Sequence, residues 1–168
     1  MSEATLALDD RAKATQQRYK ESFGYEVNFT IEDVIREVIR LAGENKDHQY
    51  HGSEFSAPVP YSLSGGCSYL HCDEKLPCIF GQALMNLGVP IEILRNNEKQ
   101  GISTVFSRLY GEHNQTVTLD TTRFCIEIQS HQDENYSWGT SVKKAVVEYP
   151  WTASKFEKEL VDAGLWVS

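Results

Sequence analysis

The stretch Leu119-Asp120-Thr121-Thr122-Arg123-Phe124-Cys125-Ile126-Glu127-Ile128-Gln129-Ser130-His131-Gln132 decides the fold class of this 168-residue chain, because it carries two periodicities at once. Phe124, Ile126 and Ile128 alternate as in a half-buried strand. Phe124, Ile128 and His131, or Cys125, Ile128 and Gln132, recur instead at the spacing of one helical face. The helical reading, capped by Asp120, is favoured. It makes the chain mainly α, because the segments on either side are also helical.

Upstream, Thr30 is a good N-cap with Asp33 three residues on, and Ile31, Val34, Ile35, Val38, Ile39 and Ala42 follow at helical spacing until Gly43. Phe80, Ala83, Leu84 and Leu87 form a second stripe. Gly88 fits the left-handed position that closes a helix, and Val89 supplies the accompanying apolar contact. Pro90 then opens a short helix carrying Ile91 and Leu94. Ile102, Val105, Phe106 and Leu109 give another helix, ending at Gly111. Val142, Ala145 and Val146 continue from Trp138, and Phe156, Leu160 and Val161 make a C-terminal helix closed by Gly164.

The expectation is a compact single-domain bundle of about five to six short helices. Residues 1–24 form a polar N-terminal arm or surface helix, and residues 25–168 form the globular helical domain. Between Glu44 and Pro77 the periodicity disappears. Gly52, Ser53, Pro58, Pro60, Ser62, Ser64, Gly65 and Gly66 mark a long irregular loop with room for one small β element near Pro60 to Leu63.

Apolar residues make up 40% of the chain, which takes it out of the disordered class. Sixteen Lys and Arg against 24 Asp and Glu leave a net charge of -8, a field that disfavours nucleic acid and anionic membranes as partners. The first residues, Met1 to Leu6, carry no signal-peptide pattern, and no apolar run approaches the length of a membrane span. A cytoplasmic protein without a membrane partner is expected. Its four cysteines then read as free thiols, metal ligands or a reactive thiol.

Three of those cysteines, Cys67, Cys72 and Cys78, lie within twelve residues together with His71. A zinc site could draw on Cys67, His71, Cys72 and Cys78, with His48 or His51 in reserve, but no second compact knuckle completes the pattern. No cofactor is therefore the first expectation, and zinc the alternative. Cys78 also stands at the start of a helix, where unpaired N–H groups and the helix dipole lower a thiol pKa. Papain-like and NlpC-type hydrolases place their nucleophile in this way, with His131 or His113 available here as base. The residues around Cys78 do not match those families' local signature. A helix–turn–helix reading of Gln82 to Arg95 lacks the basic density that DNA binding needs.

The segment Ser130 to Gly139 is polar and ends in an aromatic. Read as a recognition loop, it offers Gln132, Asp133, Tyr136 and Trp138 to a small polar ligand or a partner surface. Read as structure alone, it is a surface turn anchored by Trp138.

The arrangement Cys67-x-Tyr69, Pro77-Cys78-Ile79-x-Gly81-x-Ala83-Leu84-x-x-Leu87-Gly88-Val89, then Gln132-Asp133 and Ser137-Trp138-Gly139, resembles a group of small uncharacterised proteins of actinobacterial phages and their hosts. The resemblance covers roughly residues 30 to 148. It implies a phage or mobile-element accessory protein and supplies no mechanism. The sequence expectation is accordingly a non-enzymatic accessory protein that binds a host protein or a small polar ligand. A thiol-dependent hydrolase and a zinc-stabilised interaction module are the alternatives, and the oligomeric state is open.

Overall fold

The computed structural model describes residues 13–14, 16–50, 69–70, 77–110 and 119–167. Among these the architecture is mainly helical. A first helix, α1, occupies residues 16–23. Then follow α2 (Ile31–Glu44), α3 (Ile79–Asn86), α4 (Ile91–Arg95), α5 (Ile102–Tyr110), α6 (Leu119–Asp133), α7 (Trp138–Glu148), α8 (Pro150–Ala153), a 3₁₀ turn (Ser154–Phe156) and α9 (Glu157–Asp162). The pieces outnumber the five or six expected, chiefly because the C-terminal helix is broken by Pro150 and by the 3₁₀ turn. The small β element expected near Pro60 to Leu63 lies outside the described residues. Within them the only β-like pairing is an isolated antiparallel bridge between Gln49 and Ser137.

The helix α2 starts as its sequence dictates. The Thr30 side chain accepts from the Asp33 N–H, and the Asp33 carboxylate accepts from the Thr30 N–H at 2.8 Å, a reciprocal capping box. That backbone hydrogen bond is the main reason the Asp33 carboxyl titrates below its ordinary range. The expected stop at Gly43 is corrected: α2 runs to Glu44, and Gly43 serves packing. A Cβ there would come within 2.8 Å of the Ala163 side chain, so the missing side chain is what lets the C-terminal segment approach.

Two helix ends match their sequence signal. At α3 Gly88 has φ +90°, the Val89 N–H donates to the Leu84 carbonyl at 2.9 Å, and the Gly88 N–H donates to Met85. At α9 Gly164 repeats this with φ +66° and the Leu165 N–H on the Leu160 carbonyl.

The stretch 119–132 is helical. Phe124 and Ile128 are buried and Ile126 is exposed, so the apparent strand alternation is accidental. Asp120 lies in the first turn of α6 and not at its cap. This helix packs on α5, α7, α8 and α2, while α2 packs on α3, α7 and α9. The shared core holds Tyr50, Tyr69, Phe80, Phe106, Phe124, Trp138 and Phe156, all essentially inaccessible. Val161, expected to face this core, is exposed.

The N-terminal arm is docked at α1. Tyr19 is buried there and its hydroxyl accepts from Asn97 Nδ2 at 3.3 Å, while Gln16 Nε2 donates to the Leu109 carbonyl at 3.1 Å.

Candidate functional site

The polar residues of α6 act first on the fold itself. Gln129 and Gln132, three residues apart, lie on one helical face and are both buried. Gln129 Oε1 accepts from the Ile102 N–H at 2.8 Å, and Gln132 Oε1 accepts from the Ile79 N–H at 2.7 Å. Each glutamine thus satisfies a backbone donor at the start of another helix, α5 and α3 respectively, which would otherwise be buried without a partner. Gln129 also donates to the Tyr69 hydroxyl at 3.4 Å, and that hydroxyl donates to the Gln100 carbonyl at 2.9 Å. Burial holds the Tyr69 phenol neutral, well above its ordinary pKa.

This network separates the four residues expected to form a recognition loop. Gln132 caps α3. Trp138 is fully buried, its ring edge-on to His48 with centroids 4.5 Å apart, and its backbone N–H donates to the His48 carbonyl at 2.8 Å. Gly139 lets the same Lys46–His48 segment lie against the start of α7, since a Cβ there would meet the Lys46 carbonyl at 2.9 Å. Tyr136 is 38% exposed and lies under the Lys144 ammonium. Asp133 is half-buried, and burial pushes its carboxyl up to about 6 against a hydrogen bond from Gln132. Only Asp133 and Tyr136 remain available to solvent.

The thiol-based alternatives fare differently. Cys78 is disulfide-bonded, with its partner outside the described residues. Its sulfur accepts from the Gly81 N–H at 3.3 Å as the N-cap of α3. The expectation of a free thiol at Cys78 is corrected by this bond: a disulfide sulfur is neither a thiolate nucleophile nor a zinc thiolate. The other proposed ligands, Cys67, His71 and Cys72, and the candidate base His113, lie outside the described residues. His131 is described, and its Nε2 faces Glu148 at 3.2 Å. The free cysteine Cys125 is buried, which raises its thiol far above the ordinary value and leaves it unreactive.

A different region combines space with unmet polarity. A cavity of about 570 Å³ opens between α1, the segment 25–30 and the end of α5, lined by Gln16, Tyr25, Val27, Phe29, Thr30 and Tyr110 among others. Its size falls in the range of small-ligand sites. The Tyr25 and Tyr110 hydroxyls are buried and make no hydrogen bond. Burial raises the Tyr25 phenol to about 12 and the Tyr110 phenol further, so both keep their protons at neutral pH and remain donors. Lys13 and Lys20 also belong to the lining. Thr122, Trp138 and Ser141 carry unpaired polar atoms too, but none of them lines this cavity.

A second groove, between α2 and α9, has most of its charges matched. Arg36 pairs with Asp33 and Glu159, and Arg40 pairs with Glu37 and Glu44. Lys46 also lines it and forms no ion pair among the described residues.

Sequence reasoning missed the Tyr25–Tyr110 cavity because its two hydroxyls come from positions 85 residues apart, and neither position carries a motif. Comparison with known proteins found no match: no family model, no curated protein and no solved structure is similar to the chain. No described helix is long and apolar enough to cross a membrane.

Proposed function

We propose that this chain is a small non-catalytic binding protein, an accessory protein of the actinobacterial phage type, whose ligand is a small polar molecule held in the cavity beside Tyr25 and Tyr110. The observation that carries this reading is that two residues of that cavity's lining, Tyr25 and Tyr110, hold buried hydroxyls without hydrogen-bond partners. An unmet buried hydroxyl costs stability unless something supplies the missing bond. A guest with oxygen acceptors would supply two, and Val27 and Phe29 would cover its apolar part.

Native mass spectrometry of the purified protein, followed by a thermal-shift screen of organic acids, nucleotides and sugars, tests the reading. A true ligand at a hundredfold excess over its Kd should raise the unfolding temperature by about 5 °C or more. The shift should disappear in a Tyr25→Phe, Tyr110→Phe double variant. A ligand whose shift survives that variant binds elsewhere and refutes the assignment.

One observation favours a protein partner as the second reading. Trp151 is 79% exposed, and Val147, four residues earlier, is 62% exposed. Exposed tryptophan is the residue type most often found at the energetic centre of an interface. Pull-down from host lysate that is lost on Trp151→Ala would support this reading, and equal capture by both forms would remove it. Disulfides are rare where thiols are kept reduced, so the bond at Cys78 weakens the cytoplasmic placement expected from the sequence.

A further inference from the structure

We infer that Glu127, His131 and Glu148 bind one divalent transition-metal ion that staples α6 to the end of α7. The three residues come from two elements: Glu127 and His131 are four apart on one face of α6, and Glu148 ends α7. One ligand atom from each lies within 4.8 Å of the other two. His131 Nε2 and Glu148 Oε1 are 3.2 Å apart. Two ligands about 2.1 Å from a tetrahedral zinc are roughly 3.3 Å from each other, so this pair is already at ligand spacing. Glu127 has to swing its carboxylate inward by up to about 1.5 Å to reach similar spacing.

The electrostatics and the second nitrogen of His131 point the same way. Its side chain is only 9% exposed, yet Nδ1 has no hydrogen-bond partner, and the nearest candidate is the Glu134 carboxylate at 3.8 Å. A histidine that ligates through one nitrogen keeps its proton on the other and donates a hydrogen bond from it to a carboxylate; Glu134, 3.8 Å away, would accept that bond after a small closing movement. Around this one imidazole stand Glu127, Glu134 and Glu148. Among the described residues no Lys or Arg forms an ion pair with any of them, and the nearby Lys144 lies over the Tyr136 ring at 4.7 Å instead. A divalent ion at this point would offset two of the three negative charges. One nitrogen and two oxygen donors suit zinc or manganese better than magnesium or calcium, which prefer all-oxygen shells. Glu148 is 42% exposed, so water fills the remaining coordination positions.

The full chain, stripped with a chelator and titrated with zinc chloride, tests this by calorimetry and native mass spectrometry. One zinc per chain and a raised unfolding temperature are expected, with no comparable response to magnesium. Glu148→Gln keeps the size of a partly exposed side chain and should weaken binding at least about tenfold; Glu134→Gln should weaken it by about tenfold. Failure of the wild type to take up zinc overturns the site. So does equal affinity in Glu148→Gln and Glu127→Gln, which would place the ion on other histidines or cysteines, and so does magnesium binding as tight as zinc.

Discussion

Two regions of this molecule treat buried polarity in opposite ways. Along α6, Gln129 and Gln132 spend both ends of their amides on neighbours, closing the starts of α5 and α3 and reaching Tyr69 and Asp133. Beside α1, Tyr25 and Tyr110, two residues lining an open cavity, hold buried hydroxyls with no partner. The first pattern is what a fold needs and what a core retains for stability. The second is what a fold would discard unless something outside the chain completed it. Polar residues near the expected site thus turn out to be architecture, while the candidate binding groups lie elsewhere.

The comparison breaks most severely at the packed end. A Cβ on Gly81 would overlap the Tyr69 carbonyl and lie 2.7 Å from its Cα, so Gly81→Ala must push the 69–70 segment off α3. A loss of about 3 kcal/mol or more is expected by chemical denaturation. The cavity lies away from this contact, and ligand shifts in whatever fraction stays folded should be unchanged.

Next in size is Asp133. Its carboxyl pKa in the folded protein is about 6, above the ordinary value near 3.8, so the native state holds the proton more tightly than the unfolded chain. The associated stability is full at pH 3, fades as pH rises between about 4 and 6, and is gone at pH 7. Asp133→Asn should therefore stabilise the protein by about 2 kcal/mol at pH 7 and flatten the stability profile across that window. A variant that is less stable at pH 7 would mean that the charged carboxylate is held favourably.

Gln132→Met tests the capping role with nearly constant volume. It leaves the Ile79 N–H buried and unpaired and should cost about 2 kcal/mol. An unchanged midpoint in urea would move Gln132 from architecture to the category the sequence first suggested for it, a ligand contact.

Local signals in the chain were enough to place helices. Thr30 with Asp33, Leu87-Gly88-Val89 and the Gly164 turn each act within a few residues, so periodicity and caps located α2, α3 and α9 to within a residue or two at these ends. The stretch from Leu119 was ambiguous because Ile126 happens to complete an alternating pattern while pointing to solvent. What Gln132 and Trp138 do was not legible, because their partners Ile79 and His48 are 53 and 90 residues away. A polar loop was visible, but whether its polarity faces outward or caps another helix depends on packing. The candidate cavity is less legible still, since Tyr25 and Tyr110 are unremarkable residues that meet only in three dimensions.

The smallest stability effect carries the most direct test. In the Tyr25→Phe, Tyr110→Phe double variant the unfolding free energy should be unchanged or higher by up to about 1 kcal/mol, because removing an unpaired buried hydroxyl costs nothing. Over the same titration, the ligand-induced thermal shift of the wild type should vanish. A double variant that is destabilised by about 2 kcal/mol, or that keeps the wild-type ligand shift, would contradict the account, because the hydroxyls would then be satisfied within the fold or irrelevant to binding.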